Sequence, residues 1–116
     1  MLRRARGSAG PRQVGLQRDG DLTVDLGARR AVRGDVELAL TTREFDLLAF
    51  FLSNPGQAFS RKELLSSVWG WTVGDESTVT VHVRRLRGKL EADPAEPTRV
   101  VTVWGSGYRY EPQEQS

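Results

Sequence analysis

With 116 residues, 17 Lys and Arg against 15 Asp and Glu, and a formal net charge of +2, the chain has room for one domain around a single small core. Its longest apolar run, Leu47 to Leu52, falls far short of the about 20 residues of a membrane span, and no secretory stretch opens the chain, so a soluble, cytoplasmic protein without a membrane partner is expected. No cysteine is present, which excludes disulfides and thiolate chemistry and leaves packing alone to hold the fold.

A charge of +2 is too small to name a partner, so its distribution carries the information. Residues 1–13 contain Arg3, Arg4, Arg6 and Arg12, no acid and few apolar side chains; they read as a basic flexible linker or tail. Residues 14–112 read as the domain and residues 113–116 as a C-terminal tail. Within the domain, Val14 and Leu16, then Leu22, Val24 and Leu26, then Ala31 and Val32, then Val36, Leu38 and Leu40 are separated by Asp19-Gly20, Gly27 and Gly34-Asp35. Period-two alternation between such turns predicts an antiparallel meander of four strands with one apolar face.

The period changes at Thr41. Thr41 and Glu44 have the spacing of a capping box, and Phe45, Leu48, Ala49 and Leu52 follow at helical intervals up to Asn54-Pro55-Gly56. Ser60 and Glu63 repeat the box before Leu64, Leu65, Val68 and Trp69, with Gly70 as the stop. After a loop from Gly70 to Glu76, Val79, Val83, Leu86 and Leu90 mark the buried stripe of a third helix from Thr78. Arg99 to Val103, the turn Gly105-Ser106-Gly107, and Tyr108 to Tyr110 then predict a β-hairpin. The expected fold class is α+β: a winged helix-turn-helix with an N-terminal four-stranded antiparallel sheet, a three-helix body and a C-terminal β-hairpin wing.

Turning the third helix by about 100° per residue places Ser77, Val81, Arg84, Arg85 and Gly88 opposite the apolar stripe, Thr80 and Arg87 on one flank, and His82 and Lys89 on the other. No carboxylate occurs in this segment before Glu91. A solvated face ordinarily mixes signs through paired Glu and Lys, and this one does not. An α-helix fits the major groove, where arginine grips guanine with two donors and a small apolar residue such as Val81 meets a thymine methyl.

In order and at matching spacing, Leu40-Thr41-Thr42-Arg43-Glu44-Phe45-Asp46-Leu47-Leu48, Ser60-Arg61-Lys62-Glu63-Leu64-Leu65, Val68-Trp69-Gly70, Thr78-Val79-Thr80-Val81-His82-Val83-Arg84-Arg85-Leu86-Arg87 and Thr102-Val103-Trp104-Gly105-Ser106-Gly107-Tyr108-Arg109 resemble the OmpR/PhoB-type effector domain of bacterial response regulators. The similarity runs from about residue 14 to residue 111. It implies sequence-specific binding of double-stranded promoter DNA and regulation of transcription as the output of a two-component system. The position of Arg85 would read base edges with Thr80 and Val81, while those of Trp69, Thr78, His82, Arg84, Arg87 and Tyr108 would meet the phosphate backbone. Ser77, Thr102 and Trp104 complete the candidate DNA contacts, the wing lying over the neighbouring minor groove. Trp104 and Ser77 stand where some members have arginine, and Thr80 where some have an acid, so base preference should differ. An indole cannot read a narrow minor groove electrostatically, which leaves Trp104 to pack against sugar or phosphate, or against the sheet.

The resemblance further implies that the loop between the second and third helices, with Trp71, Thr72, Val73 and Asp75, can touch RNA polymerase, although a loop anchor explains Trp71 equally. Alone, the chain should be monomeric and should pair head to tail on direct repeats of DNA. A receiver domain of the same protein would complete it, with the arginine-rich opening as the interdomain linker. His82 is the only histidine, so no metal site or cofactor is expected. Gly105-Ser106-Gly107 lacks the spacing of a nucleophile elbow, and no carboxylates form an acid/base couple, so no catalytic residue is expected. The competing reading is a winged-helix protein-interaction module, distinguished by little salt-sensitive affinity for DNA.

Overall fold

The computed structural model describes residues 15–71 and 74–113. They divide into two units, one ending at Leu38 and one spanning Ala39–Gln113. The expected linker 1–13, Val14 and residues 114–116 lie outside the described residues. Gln113, the first residue of the expected tail, donates from Nε2 to Thr98 O at 2.9 Å and to Glu111 O at 3.0 Å.

The first unit is the four-stranded antiparallel meander β1 (Leu16–Asp19), β2 (Leu22–Asp25), β3 (Arg30–Arg33) and β4 (Val36–Glu37), in that spatial order. Two-residue loops at Gly20-Asp21 and Gly34-Asp35 join the first and third of its hairpins, and both glycines have positive φ, 62° and 61°. Such turns match the strand twist and fix the register. With Asp19 opposite Leu22 and Gln17 opposite Val24, the buried face takes Leu22, Val24, Ala31 and Asp19, and Leu16 points to the exposed side. The sequence expectation that Leu16 belongs to the apolar face is thereby corrected. The tight turn decides which parity of β1 faces inward, and an apolar side chain at the strand start does not override it.

The second unit contains α1 (Thr42–Ser53), β5 (Ala58–Phe59), α2 (Arg61–Leu64) continuing as a π-helical segment Leu65–Trp69, α3 (Ser77–Leu90), β6 (Val100–Val103) and β7 (Gly107–Tyr110). Both predicted capping boxes form. Thr41 Oγ1 accepts from Glu44 N at 3.2 Å while Glu44 Oε1 accepts from Thr41 N at 3.0 Å. Ser60 and Glu63 make the same exchange at 3.0 and 2.8 Å. Gly70 ends the second helix in the left-handed region at φ 76°. Phe45, Leu47, Leu48 and Phe51 of α1, Leu64 and Leu65, and Val79, Val83, Leu86 and Leu90 of α3 are buried, each burial favouring the fold by about 1.5–3 kcal/mol.

The hairpin is not alone. β5 pairs antiparallel with β7, giving a three-stranded sheet of order β5-β7-β6. Gly107 makes that approach possible: its φ is 124°, and a Cβ there would run into the Phe59 carbonyl. The wing is therefore rooted on the strand that leads directly into α2.

Candidate nucleic-acid interface

α3 begins from a shaped loop. Trp71 N donates to Leu65 O at 3.3 Å, and a Cβ at Gly74 would stand 3.1 Å from Trp71 Cε3, so the indole lies over that glycine while remaining 45% exposed. Asp75 Oδ1 accepts from Ser77 N at 2.9 Å. This donation to its carboxylate holds the Asp75 pKa below its ordinary value, and the negative charge favours the start of the helix. Thr72 and Val73, the other two loop candidates, lie outside the described residues.

Along α3 the expected faces form. Ser77, Arg84, Arg85 and Gly88 are exposed, and Thr80 and Val81 are half-buried beside them. Arg61 stands close by, with Nη1 3.4 Å from Thr80 Oγ1 and Nε 3.8 Å from Glu76 Oε1. Thus α2 adds Arg61, and the adjacent exposed Lys62, to the edge of the basic surface. Sequence reading quoted both in a motif without assigning them a role. Two cations directly after a helix cap, ahead of the apolar Leu64 and Leu65 that mark the buried side, were the available signal.

Three expected contact residues sit lower in the surface. Trp69 is only 9% exposed; the Arg43 guanidinium lies 5.6 Å from its ring centre, and the His82 ring packs edge-on at 5.0 Å. His82 Nδ1 is 2.8 Å from Thr78 O, a geometry in which Nδ1 carries the proton and donates. Arg43 also donates to Val68 O at 3.1 Å. Trp69, Thr78 and His82 thus fasten the end of the π-helical segment to the start of α3.

The far half of α3 is tied to other elements. Arg87 Nε donates to Val100 O and Nη2 to Thr102 Oγ1, both at 2.9 Å, and its guanidinium lies 5.4 Å from the Tyr108 ring centre. Burial draws the Arg87 pKa below its ordinary value against the opposing pull of Tyr108 and Glu91. Lys89 Nζ meets Glu44 Oε1 at 2.6 Å. Glu44 is 1% exposed; burial raises its pKa, but the Lys89 and Thr41 donors outweigh burial and hold it below its ordinary value. Glu91, which no motif singled out, is buried, and its two oxygens accept from the amides of Thr98, Arg99 and Val100 at 2.8–3.1 Å.

At the tip of the wing, Ser106 N donates to Val103 O at 2.8 Å, with Gly105 at φ 82°. The three-residue loop holds Trp104 90% exposed, so it does not pack against the sheet. Thr102 is exposed on β6 and Tyr108 half-buried on β7. A groove of about 610 Å³ runs between the wing tip and Ser60-Arg61-Lys62 at the start of α2.

Comparison with known proteins agrees with this geometry. The family described as "Transcriptional regulatory protein, C terminal" matches residues 35–110. The sensory transduction protein RegX3 of Mycobacterium tuberculosis is 41% identical over 113 residues, covering 96% of this chain and 49% of that protein. Among solved structures, the DNA-binding domain of Klebsiella pneumoniae RstA in complex with the RstA box superposes with a TM-score of 0.76 at 36% identity, covering 84% of this chain and 97% of that one. DrrB of Thermotoga maritima, an OmpR/PhoB homolog, gives 0.77 at 31% identity, covering 84% of this chain and 44% of that one. The chain spans about half the length of the curated relatives it matches, and none of its described helices is long and apolar enough to cross a membrane. With the motifs, the winged-helix architecture and these matches in agreement, the chain belongs to the family of C-terminal domains of transcriptional regulatory proteins, of the OmpR/PhoB type.

Proposed function

We propose that this chain binds double-stranded promoter DNA sequence-specifically and regulates transcription as the output domain of a two-component response regulator. The observation that carries this is the outward face of α3, where Arg84 and Arg85 are exposed on a helix that contains no carboxylate. Such a surface attracts phosphate and releases counterions, and its helix matches the width of a major groove. The RstA domain, similar over 84% of this chain, is known bound to its own DNA box. By that likeness α3 enters the major groove. Arg85 reads base edges with Thr80 and Val81 beside it, and Ser77, Thr78, His82 and Arg84 lie toward the phosphates. Thr102, Trp104 and Tyr108 bring the wing to the adjacent backbone or minor groove.

The partners follow from the same reading. A receiver domain completes the protein, the isolated chain is a monomer, and two copies sit head to tail on direct repeats. The loop candidates Trp71, Thr72, Val73 and Asp75 are assigned to RNA polymerase on the strength of the half-exposed Trp71 indole. The family is one of regulators, not enzymes, and the chemistry assigned here is binding alone.

The test is selection of bound duplexes from a randomised pool, sequenced and repeated at two salt concentrations. Enrichment of a short motif in direct repeat, with affinity falling as salt rises, is expected. Salt-insensitive retention without enrichment would favour a protein-interaction module.

A further inference from the structure

We propose that Arg87 is a positioning residue that locks the wing to the recognition helix, and that its guanidinium does not serve as a phosphate contact. The inference rests on the DNA-binding reading and concerns how that interface is assembled. Arg87 belongs to the same basic run as Arg84 and Arg85, yet its side chain is turned onto the wing. Nε and Nη2 each donate at 2.9 Å to β6, to Val100 O and Thr102 Oγ1. The guanidinium carbon also lies over the ring of Tyr108 of β7, 5.4 Å from its centre. Thr102 and Tyr108 are directly paired across the hairpin, so one side chain grips both strands at the same level.

At the C-cap of α3, Glu91 accepts the amides of Thr98, Arg99 and Val100. The wing is consequently held at two points, one on the last turn of the helix and one at the residue that caps its C-terminus. Two anchors fix an angle where one would leave a pivot. That angle decides whether Trp104 at the wing tip reaches DNA in the same register as Arg85 on the helix. Holding it in advance removes an ordering cost that binding would otherwise meet.

Arginine is required by this geometry. The planar fork presents two divergent donors to two acceptors while its cationic carbon lies over the tyrosine ring, whereas a lysine ammonium is a single point charge. A phosphate contact makes the opposite demand, since lysine serves a phosphate well. Exchange of the two cations therefore separates the roles.

The experiment measures affinity of the full 116-residue chain and of Arg87→Lys and Arg87→Ala for the enriched duplex across a salt series. Both variants should lose about tenfold in affinity, the scale of a charge-assisted hydrogen bond, and the salt slope should stay at the wild-type value. Recovery of wild-type affinity in Arg87→Lys, with a slope in Arg87→Ala reduced by about 0.9, would show a phosphate contact and overturn the proposal. In the DNA-free chain, the amide NMR signals of Trp104 and Gly105 should shift and broaden in Arg87→Lys; unchanged signals would equally overturn it. Should Arg87→Ala fail to fold, Thr102→Val removes one acceptor at no change in charge, and its loss should be non-additive with that of Arg87→Lys. Additive losses would mean that the two side chains act separately. A wild-type chain that binds no duplex overturns the DNA-binding reading, and with it the role of Arg87 at that interface.

Discussion

The two halves of α3 carry the same kind of residue and put it to different use. In the first half, from Ser77 to Arg85, the apolar side chains face inward and the cations Arg84 and Arg85 stand exposed. In the second half, Arg87 donates to β6 and Lys89 pairs with Glu44 on α1, and at the C-cap just beyond, Glu91 gathers three amides ahead of and within β6. A run of positive charge in a sequence therefore mixes two populations, one available to a ligand and one engaged in the fold. Exposure alone does not sort them, because Arg87 and Lys89 are half-exposed. Hydrogen-bond partners do.

On this division, the largest effects on stability belong to the second half and its C-cap. Glu91→Ala should destabilise the chain by about 2–4 kcal/mol, because three backbone amides near a buried site lose their acceptor together. Thermal melting should show the loss, and the salt slope of DNA binding should be unchanged in whatever fraction folds. Glu44→Gln should cost about 1–3 kcal/mol at neutral pH by leaving Lys89 without its carboxylate. Its effect has a defined pH dependence. The Glu44 pKa is lowered in the folded state, so its stabilisation is fully present above the ordinary carboxylate range and is lost as pH falls through the folded value. The difference in stability between wild type and Glu44→Gln should accordingly shrink toward acid, and a difference independent of pH would contradict the pairing.

The sequence disclosed those features whose causes are local. Both capping boxes, the glycine turns of the meander and the buried stripe of α3 depend on residues within a few positions of one another. The face taken by Leu16 was not legible, because it follows from a turn geometry that fixes parity and overrides hydropathy. β5 was missed because two residues, Ala58 and Phe59, are too few to show alternation; they become a strand only by pairing with β7. The π-helical segment before Gly70 leaves no signature distinct from an ordinary helix end. For the candidate site, a helical wheel separates the outward face of α3 from its flanks, yet cannot say whom the flanks meet. The acceptors of Arg87 begin 13 residues away and that of Lys89 lies 45 residues away, distances at which periodicity is silent.

The smaller effects belong to the first half and appear in binding, with stability almost unchanged. Arg85→Ala should cost about 1–3 kcal/mol on the preferred duplex and little on a random one, relaxing base preference at the position that Arg85 reads. Equal losses on both duplexes would remove its assigned role. Arg84→Ala is the more delicate comparison. Its neighbour differs from it by one step of about 100° around the helix, enough to turn a side chain from the floor of a groove toward its wall. A phosphate contact there sets position without reading sequence. The loss should therefore be similar on preferred and random DNA, and the salt slope should fall by about 0.9. Arg87→Ala should leave that slope intact. Three arginines within four residues would then have three separable signatures, and a shared signature for Arg84 and Arg87 would mean that the boundary between the two halves of α3 has been drawn in the wrong place.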